Sequence, residues 1–88
     1  MVMWDVRLTN NAEKDKKLLK QAGLENKAKK LLDVLSLNPY QNPPSYEKLS
    51  GDLTGYYSRR INIQHRLVYR IDESKHMVIV HAMWSHYN

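Results

Sequence analysis

The sequence predicts an α+β fold in which two helices lie against one face of a mainly antiparallel β-sheet. Three observations predict this class: an alternating apolar and polar N-terminal segment, two amphipathic segments separated by one glycine, and several β-branched segments joined by short polar loops. Helices and strands that are segregated along a chain are typical of a two-layer α+β domain. Because 88 residues leave room for one core, we expect a single domain spanning residues 1–88.

The first half of the chain contains a strand and two helices. Alternation over Met1–Thr9 predicts a half-buried strand. Asn10 is a good helix N-cap, and Glu13 three residues later gives a pattern like a capping box. Gly23 suits the left-handed conformation that ends many helices. A second helix is predicted over about Leu24–Leu37, where apolar residues recur on one helical face.

The second half begins with a loop containing all three prolines, over Pro39–Tyr46, which leads to a short strand at Glu47. Three longer strands are predicted at Tyr56–Gln64, His65–Ile71 and Met77–Trp84. The last of these is nearly continuous in apolar character, which is typical of a central strand buried on both faces. Continued alternation along it places His86 on the same face as Val80, Ala82 and Trp84.

Composition narrows the class of protein. The net charge of +5 and the isoelectric point near 9.6 favour an anionic partner. Most basic residues before position 46 are lysines, whereas four of the six after it are arginines, whose planar fork suits phosphate. The absence of cysteine excludes disulfide scaffolds and thiol nucleophiles. No apolar run approaches the ~20 residues that span a bilayer, and no signal-peptide pattern is present, so we expect a cytoplasmic protein.

Residues 49–69 carry the pattern that is most informative about function. They include Arg59, Arg60 and Arg66, three of the five arginines, in segments of strand-like composition. Glu47 lies just upstream, and His86 near the C-terminus supplies a second titratable group. Arginines beside a carboxylate favour a site that binds phosphate and transfers a proton.

Four motifs in this region and at the C-terminus resemble a known toxin family. They are Glu47-x-Leu49, the run LTGYYSRRI at residues 53–61, the run HRLVY at residues 65–69, and the pair His86-Tyr87. Together they are similar to the YoeB branch of the RelE-type toxins, within the RelE/ParE superfamily. The resemblance implies the RelE-like fold, a twisted, mainly antiparallel sheet of four to five strands backed by an N-terminal helical hairpin.

The resemblance also implies an activity. Members of the family are toxins of bacterial toxin–antitoxin pairs, and they stop translation by cutting messenger RNA in the ribosomal A site. Without a metal or another cofactor, this chemistry needs a base for the 2′-hydroxyl proton, an acid for the departing 5′ oxygen, and cations for the charged phosphorane. The residues that match these roles are Glu47 as the base, His86 as the acid, Arg66 as the main cation, Arg60 as a second cation, and Tyr87 as a stacking or phosphate-orienting group.

The sequence departs from the family pattern next to the candidate base. Many relatives have a lysine where this chain has Ser50. Lys48, one position after Glu47, is the substrate-binding lysine that we expect instead.

The partners implied by the resemblance are a cognate antitoxin, the ribosome and mRNA. The antitoxin is expected to have an acidic tail that covers the positive cleft. Relatives form homodimers, so a second copy of the chain is a further expected partner, and no membrane partner is expected. Four scattered histidines without cysteine are a weak metal signal.

Two other functions stay open at this point. A basic sheet that holds RNA or the ribosome can block translation without cutting, and a plain RNA-binding domain need not be toxic. Individual residues also have structural alternatives. Glu47 can be a solvated surface charge, Arg66 can pair with Asp72 or Glu73, and Arg59 faces away from Arg60, which favours a structural or antitoxin-facing role.

The remaining histidines have their own expectations. His65 shares a face with core residues and is expected to be buried. His76 is expected to be exposed on a hairpin loop. His81 is expected on the strand face opposite to His86, so that the two do not share a metal.

Overall fold

The structure, a computed structural model, describes residues 3–86, with the backbone alone of His86. Within that range the elements in chain order are β1 (Asp5–Leu8), α1 (Asn10–Gln21), α2 (Glu25–Leu37), β2 (Glu47–Lys48), a 3₁₀ turn (Gly51–Leu53), β3 (Tyr57–Arg60), β4 (His65–Asp72) and β5 (Met77–His86). This succession of one strand, two helices and four strands confirms the predicted α+β class.

The helices begin and end close to the predicted residues. The N-cap of α1 is Thr9, whose hydroxyl accepts a hydrogen bond from the amide of Ala12 at 3.2 Å, so the prediction of Asn10 as the cap was wrong by one residue. Thr9 takes this role because its own amide donates to Val80, which holds it extended at the end of β1. Gly23 ends the first helical segment with a φ of 74°, as predicted. Neither α1 nor α2, nor any other helix in the described range, is long and apolar enough to cross a membrane.

The strands form one five-stranded sheet in the order β1-β5-β4-β3-β2. β1 runs parallel to β5, and the other three neighbouring pairs are antiparallel. β5 has hydrogen-bonded neighbours on both sides, which confirms that it is a central strand. The expected burial on both faces was wrong, because Ile79, His81 and Ala82 are only half-buried. β1 and β2 are the two edge strands.

The core lies between the helices and one face of the sheet, which we call the helix-covered face. The side chains that meet there are buried and apolar: Ala12, Leu19, Ala28, Leu31, Leu35, Ile61, Leu67, Tyr69, Val78, Val80 and Met83. Burying such a set of side chains is the main favourable contribution to folding. The opposite face of the sheet carries neither helix, and we call it the helix-free face.

β3 is shorter than the predicted strand Tyr56–Gln64. The side-chain carbonyl of Asn62 accepts hydrogen bonds from the amides of Gln64 (2.9 Å) and His65 (2.7 Å). Such side-chain bonds compete with strand pairing and favour a turn. The chain therefore reverses after Arg60, and Ile63 is left 85% exposed at the tip of the β3–β4 hairpin.

β5 contains two register shifts against β4, and they change which residues share a face. Tyr69 pairs with Val80, but its neighbour Val68 pairs with Ala82, so His81 is an inserted residue. Since Tyr69 and Val68 point to opposite faces, Val80 and Ala82 do too. The expectation that Val80 and Ala82 share a face was therefore wrong.

Helix α1 and its N-cap hold the irregular part of β5 in place. The carboxylate of Asp15 accepts a hydrogen bond from the amide of Met83 at 2.9 Å. The side chains of Asn11 and Thr9 donate to the carbonyl of His81 at 2.9 and 3.2 Å. These bonds satisfy backbone groups that the bulge removes from the β-ladder.

Candidate active site on the helix-free face

The helix-free face brings charged residues from three strands together. In the sheet register, Glu47 on β2 is paired with Ser58 on β3, and Ser58 with Val68 on β4. Arg60, two residues beyond Ser58 on β3, is paired with Arg66 on β4. The arginine pair therefore forms the next row of cross-strand pairs on this face. Directly paired residues point to the same face, and so do residues two apart on one strand. Glu47 therefore lies on the same face as both arginines.

The two arginines are cross-strand neighbours. Residues paired in this way have Cβ atoms about 4.5–5.5 Å apart, and two like charges at that spacing repel each other. Arg60 is exposed and Arg66 half-buried, and the Nε of Arg66 donates a hydrogen bond to the hydroxyl of Ser85 at 3.3 Å. Two guanidinium groups on neighbouring strands can both donate to one anion, which is the arrangement that a phosphate-binding site needs.

Glu47 lies one row from the arginine pair. Two residues along a strand span about 7 Å, so the carboxylate is set apart from the guanidinium groups rather than paired with them. Its side chain is exposed and forms no hydrogen bond or ion pair with any residue between positions 3 and 86. It is thus available to accept a proton from a ligand that lies across the face.

Arg59 has a different role, because it points to the helix-covered face. The residue is 1% exposed, and its guanidinium donates to the hydroxyl of Tyr69 (3.0 Å), the carbonyl of Pro39 (2.9 Å) and the carbonyl of Pro44. It also lies 4.9 Å from the centre of the Tyr46 ring. Arg59 thereby ties the 39–46 loop to the sheet directly before Glu47, which confirms the structural alternative for this residue.

The chain is similar to known proteins over almost its whole length. The profile of the YoeB-like toxins of bacterial type II toxin–antitoxin systems matches residues 4–87. The chain belongs to this family. Toxins of this type inhibit translation, and they are generally ribonucleases.

One curated relative of this YoeB-like toxin is Toxin YoeB from Synechocystis sp. The two are 39% identical over 67 residues, which cover 76% of this chain and 71% of the relative. Toxin YoeB from Streptomyces coelicolor is 38% identical over 76 residues, which cover 86% of this chain and 81% of that protein.

Solved structures share the fold over almost the whole chain. The YoeB/ParE toxin from Agrobacterium tumefaciens has a TM-score of 0.83 at 29% identity and covers 94% of this chain and 99% of its own. The toxin in the YoeB–YefM complex from Staphylococcus aureus has a TM-score of 0.78 at 33% identity, covering 96% and 98%. A YoeB dimer from Staphylococcus aureus has a TM-score of 0.77 at 32% identity, with the same coverage. The RelE-like fold expected for this YoeB-like toxin is therefore confirmed.

The structure does not bring every predicted site residue of this YoeB-like toxin together. Lys48 is paired with Tyr57, whose ring stacks on the buried Tyr69, so the register places Lys48 on the face opposite to Glu47. The backbone of His86 is paired with that of His65 at the end of β5. The side chain of His86 and all of Tyr87 lie outside the described residues.

The suggested ion pair of Arg66 with the β4–β5 loop is not formed. Asp72 lies six residues along β4 from Arg66, and its carboxylate accepts hydrogen bonds from Ser74 (2.8 Å) and the amide of Lys75 (3.2 Å). These bonds hold the pKa of Asp72 below its usual value. Arg66 is therefore on the candidate site rather than in a structural pair with Asp72.

The histidines occupy separate environments in the described part of the YoeB-like toxin. His65 is buried as expected, with its ring 3.9 Å from that of Trp84. His76 was expected to be exposed, but it is partly buried because its ring stacks on Trp4 at 3.8 Å. Within the same part of the chain, no three potential metal ligands lie together.

The sequence interpretation missed three further residues on the helix-free face. Tyr56, Arg70 and His81 lie there on the far side of Glu47 from the arginine pair. Alternation along the strands predicts the face of Tyr56 and Arg70. Tyr56 lies two residues from Ser58 and Arg70 lies four residues from Arg66, so the members of each pair share a face. His81 had no such signal, because its orientation depends on the bulge.

A cavity between the two helices is separate from this site. It has a volume of about 350 Å³ and lies between the two helices, where Leu19, Ala28 and Leu32 form its apolar part. Lysines and carboxylates of both helices surround it without a dominant sign of charge. The arginine-bearing face is open rather than enclosed, which suits an extended polymer better than a small molecule.

Proposed function

We propose that this chain is an endoribonuclease toxin that cuts mRNA in the ribosomal A site and thereby stops translation. The observation that supports the proposal most strongly is the cross-strand pair Arg60–Arg66 with Glu47 one row away on the same open face. Membership of a toxin family whose members are generally ribonucleases supports the same reaction.

In the proposed reaction, the scissile phosphate binds between Arg60 and Arg66. Glu47 accepts the proton of the adjacent 2′-hydroxyl, whose oxygen then attacks the phosphorus in line with the departing 5′ oxygen. The row spacing of about 7 Å leaves room for a ribose between the carboxylate and the phosphate. The guanidinium groups stabilise the additional negative charge of the phosphorane, with Arg66 held in place by Ser85.

The leaving 5′ oxygen requires a proton from an acid. His86 is the proposed donor, since the unperturbed pKa of histidine, about 6.5, suits proton transfer at neutral pH. Tyr87 is proposed to stack on a base or to orient the phosphate. Attack by the 2′-oxygen leaves a 2′,3′-cyclic phosphate and a free 5′-hydroxyl, and water can then open the ring to a 3′-phosphate. No metal takes part in the proposed chemical step.

The first test is cleavage of a defined message with and without programmed ribosomes, mapped to a single nucleotide. Glu47→Gln keeps the shape of the side chain but removes the base, and we expect a loss of about 10²–10⁴-fold in the cleavage rate. Arg66→Ala should cost about 10²–10³-fold. Asp33→Asn is the matched control, because it changes an exposed carboxylate on α2, far from the helix-free face.

The chemistry of the new ends tests the mechanism separately. A cyclic phosphate or 3′-phosphate is expected, whereas a 3′-hydroxyl and a 5′-phosphate would contradict attack by the 2′-oxygen. If translation stopped in the Glu47→Gln variant as fully as in the wild type, the chain would instead block the ribosome by binding alone.

The proposed partners are an antitoxin and a second copy of the chain. YoeB from Staphylococcus aureus has been solved in complex with YefM and also as a dimer. An antitoxin with an acidic segment would complement the arginines of the helix-free face. A cytoplasmic location is proposed with them, because the ribosome and mRNA are there.

A further inference from the structure

Three side chains on the helix-free face form a second group beside the proposed catalytic residues. They are Tyr56, just before β3, Arg70 on β4 and His81 on β5, and we call them the Tyr56–Arg70–His81 cluster. The rings of Tyr56 and His81 meet edge to face, with centres 4.9 Å apart and planes at 80°. The two rings reach each other across β4, so the cluster spans three strands.

The backbone explains why these three residues share a face. Tyr57 stacks on buried Tyr69, so its neighbour Tyr56 points the other way. Arg70 follows Tyr69 and is exposed for the same reason. The carbonyl of His81 is held by α1, which leaves the imidazole directed away from the helices and against Tyr56.

The electrostatics of the cluster favour a neutral imidazole beside a permanent cation. Burial lowers the pKa of His81, and the nearby charge of Arg70 lowers it further. At neutral pH the cluster therefore presents two aromatic rings and one guanidinium. Arg70 can donate hydrogen bonds but cannot accept them.

The cluster lies on the opposite side of Glu47 from the arginine pair. Tyr56 and Arg70 lie two residues along their strands from the row of Glu47, which is a distance of about 7 Å. They lie four residues from the row of Arg60 and Arg66. A phosphate at the arginine pair and a ribose at Glu47 would leave the attached base over the cluster. That base belongs to the nucleotide on the 5′ side of the cut.

We propose that the Tyr56–Arg70–His81 cluster binds the base of the nucleotide that carries the attacking 2′-hydroxyl, and that it prefers guanine. This inference rests on the proposed function for the position of the ribose and the phosphate. Aromatic rings stack on any base, and larger purines gain more contact. Guanine presents two neighbouring acceptors, O6 and N7, to a guanidinium fork, whereas in uracil an N–H donor separates the two carbonyl acceptors.

The test uses guanosine 3′-monophosphate and uridine 3′-monophosphate, which carry the base and phosphate of the 5′-side nucleotide but cannot be cut. Each is titrated into isotope-labelled protein and followed by NMR. We expect guanosine 3′-monophosphate to bind about tenfold more tightly and to shift the ring signals of Tyr56 and His81. Inorganic phosphate should shift signals near Arg60 and Arg66 only.

Two substitutions of Arg70 separate base recognition from general attraction. Arg70→Lys keeps the charge but loses the fork, so the preference for guanine should fall to less than twofold while binding of both nucleotides persists. Arg70→Ala should lose the preference and weaken binding of both. Lys27→Ala, which removes an exposed charge from α2 on the other side of the sheet, should retain the tenfold preference.

Several outcomes would overturn the inference. They are equal binding of the two nucleotides, unshifted cluster signals, or a guanine preference that survives in Arg70→Ala. The cleavage assay separates this failure from that of the proposed function. If Glu47→Gln abolishes cleavage but the wild-type enzyme cuts equally after every base, the proposed mechanism stands and the base subsite is refuted. If the chain binds guanosine 3′-monophosphate at the cluster but cuts no RNA, the base site stands and the proposed mechanism is refuted.

Discussion

The buried Arg59 should be essential for holding the 39–46 loop, and Arg59→Met tests this directly. Methionine has a similar length and no charge, so the substitution removes the donors with little change in packing. Two of the three acceptors, the hydroxyl of Tyr69 and the carbonyl of Pro39, are in buried residues. Arg59 forms no ion pair with a carboxylate in the described range of residues 3–86.

The magnitude follows from the acceptors that are left without a donor. A buried polar group that loses its partner costs about 1–3 kcal/mol, so the two groups together cost about 2–6 kcal/mol. Removing a charge from the interior offsets part of this, because the guanidinium no longer needs to be desolvated. We expect a net loss of about 2–4 kcal/mol in the free energy of unfolding. In a domain of this size that corresponds to a fall in Tm of about 8–30 °C.

The assay is urea unfolding followed by the fluorescence of Trp4 and Trp84. Tyr69→Phe in the Arg59→Met background removes one of the two unsatisfied groups, so the double variant should recover about 1 kcal/mol. An Arg59→Met protein within about 0.5 kcal/mol of the wild type would refute the reasoning, because the loop would then be held by other contacts. So would a double variant whose destabilisation is the sum of the two single effects.

Three further predictions concern the core, the bulge and the pH dependence of stability. Leu35→Ala, at a fully buried position, should lower the free energy of unfolding in urea by about 2–5 kcal/mol. Ile63→Ala, at a position 85% exposed, should change it by less than about 0.5 kcal/mol. Equal effects of the two substitutions would contradict the placement of the core. Asp15→Ala removes the acceptor for the amide of Met83 and should lower the free energy of unfolding by about 1–2 kcal/mol. Hydrogen exchange at that amide should become faster. Unchanged protection of the amide would count against the role of α1 in holding the bulge. The folded pKa of His81 is lower than its unfolded value, so the unfolded chain binds more protons as the pH falls through about 6.5, and stability should decrease from pH 7.5 to 5.5. His81→Asn should flatten this decrease in pH-dependent unfolding, and an unchanged slope would show that His81 does not contribute.

The face assignments show how far alternation along a strand can be trusted. It placed Arg59 and Arg60 on opposite faces, and Arg66 opposite to Leu67 and Tyr69, as the structure has them. These predictions were right because β4 is regular and the two arginines lie within the paired part of β3. The period of two is a property of the extended backbone itself and needs no knowledge of the neighbours.

Two of the predictions that failed depended on contacts between distant parts of the chain. Thr9 caps α1 because β5 holds it extended, and His76 is covered because it meets Trp4. None of these contacts involves residues that are close in sequence.

By itself, the sequence determined the α+β class, the approximate bounds of both helices, the central position of the last strand, and the family resemblance carried by residues 47–69. These follow from local preferences and from residue patterns that are read along the chain. The tertiary structure alone decided the register of β5, the burial of Arg59, and the assembly of the Tyr56–Arg70–His81 cluster. The reason is that a bulge adds one residue without a sequence signature, and here it is stabilised by Asn11 and Asp15 on a helix about 70 positions away in the chain.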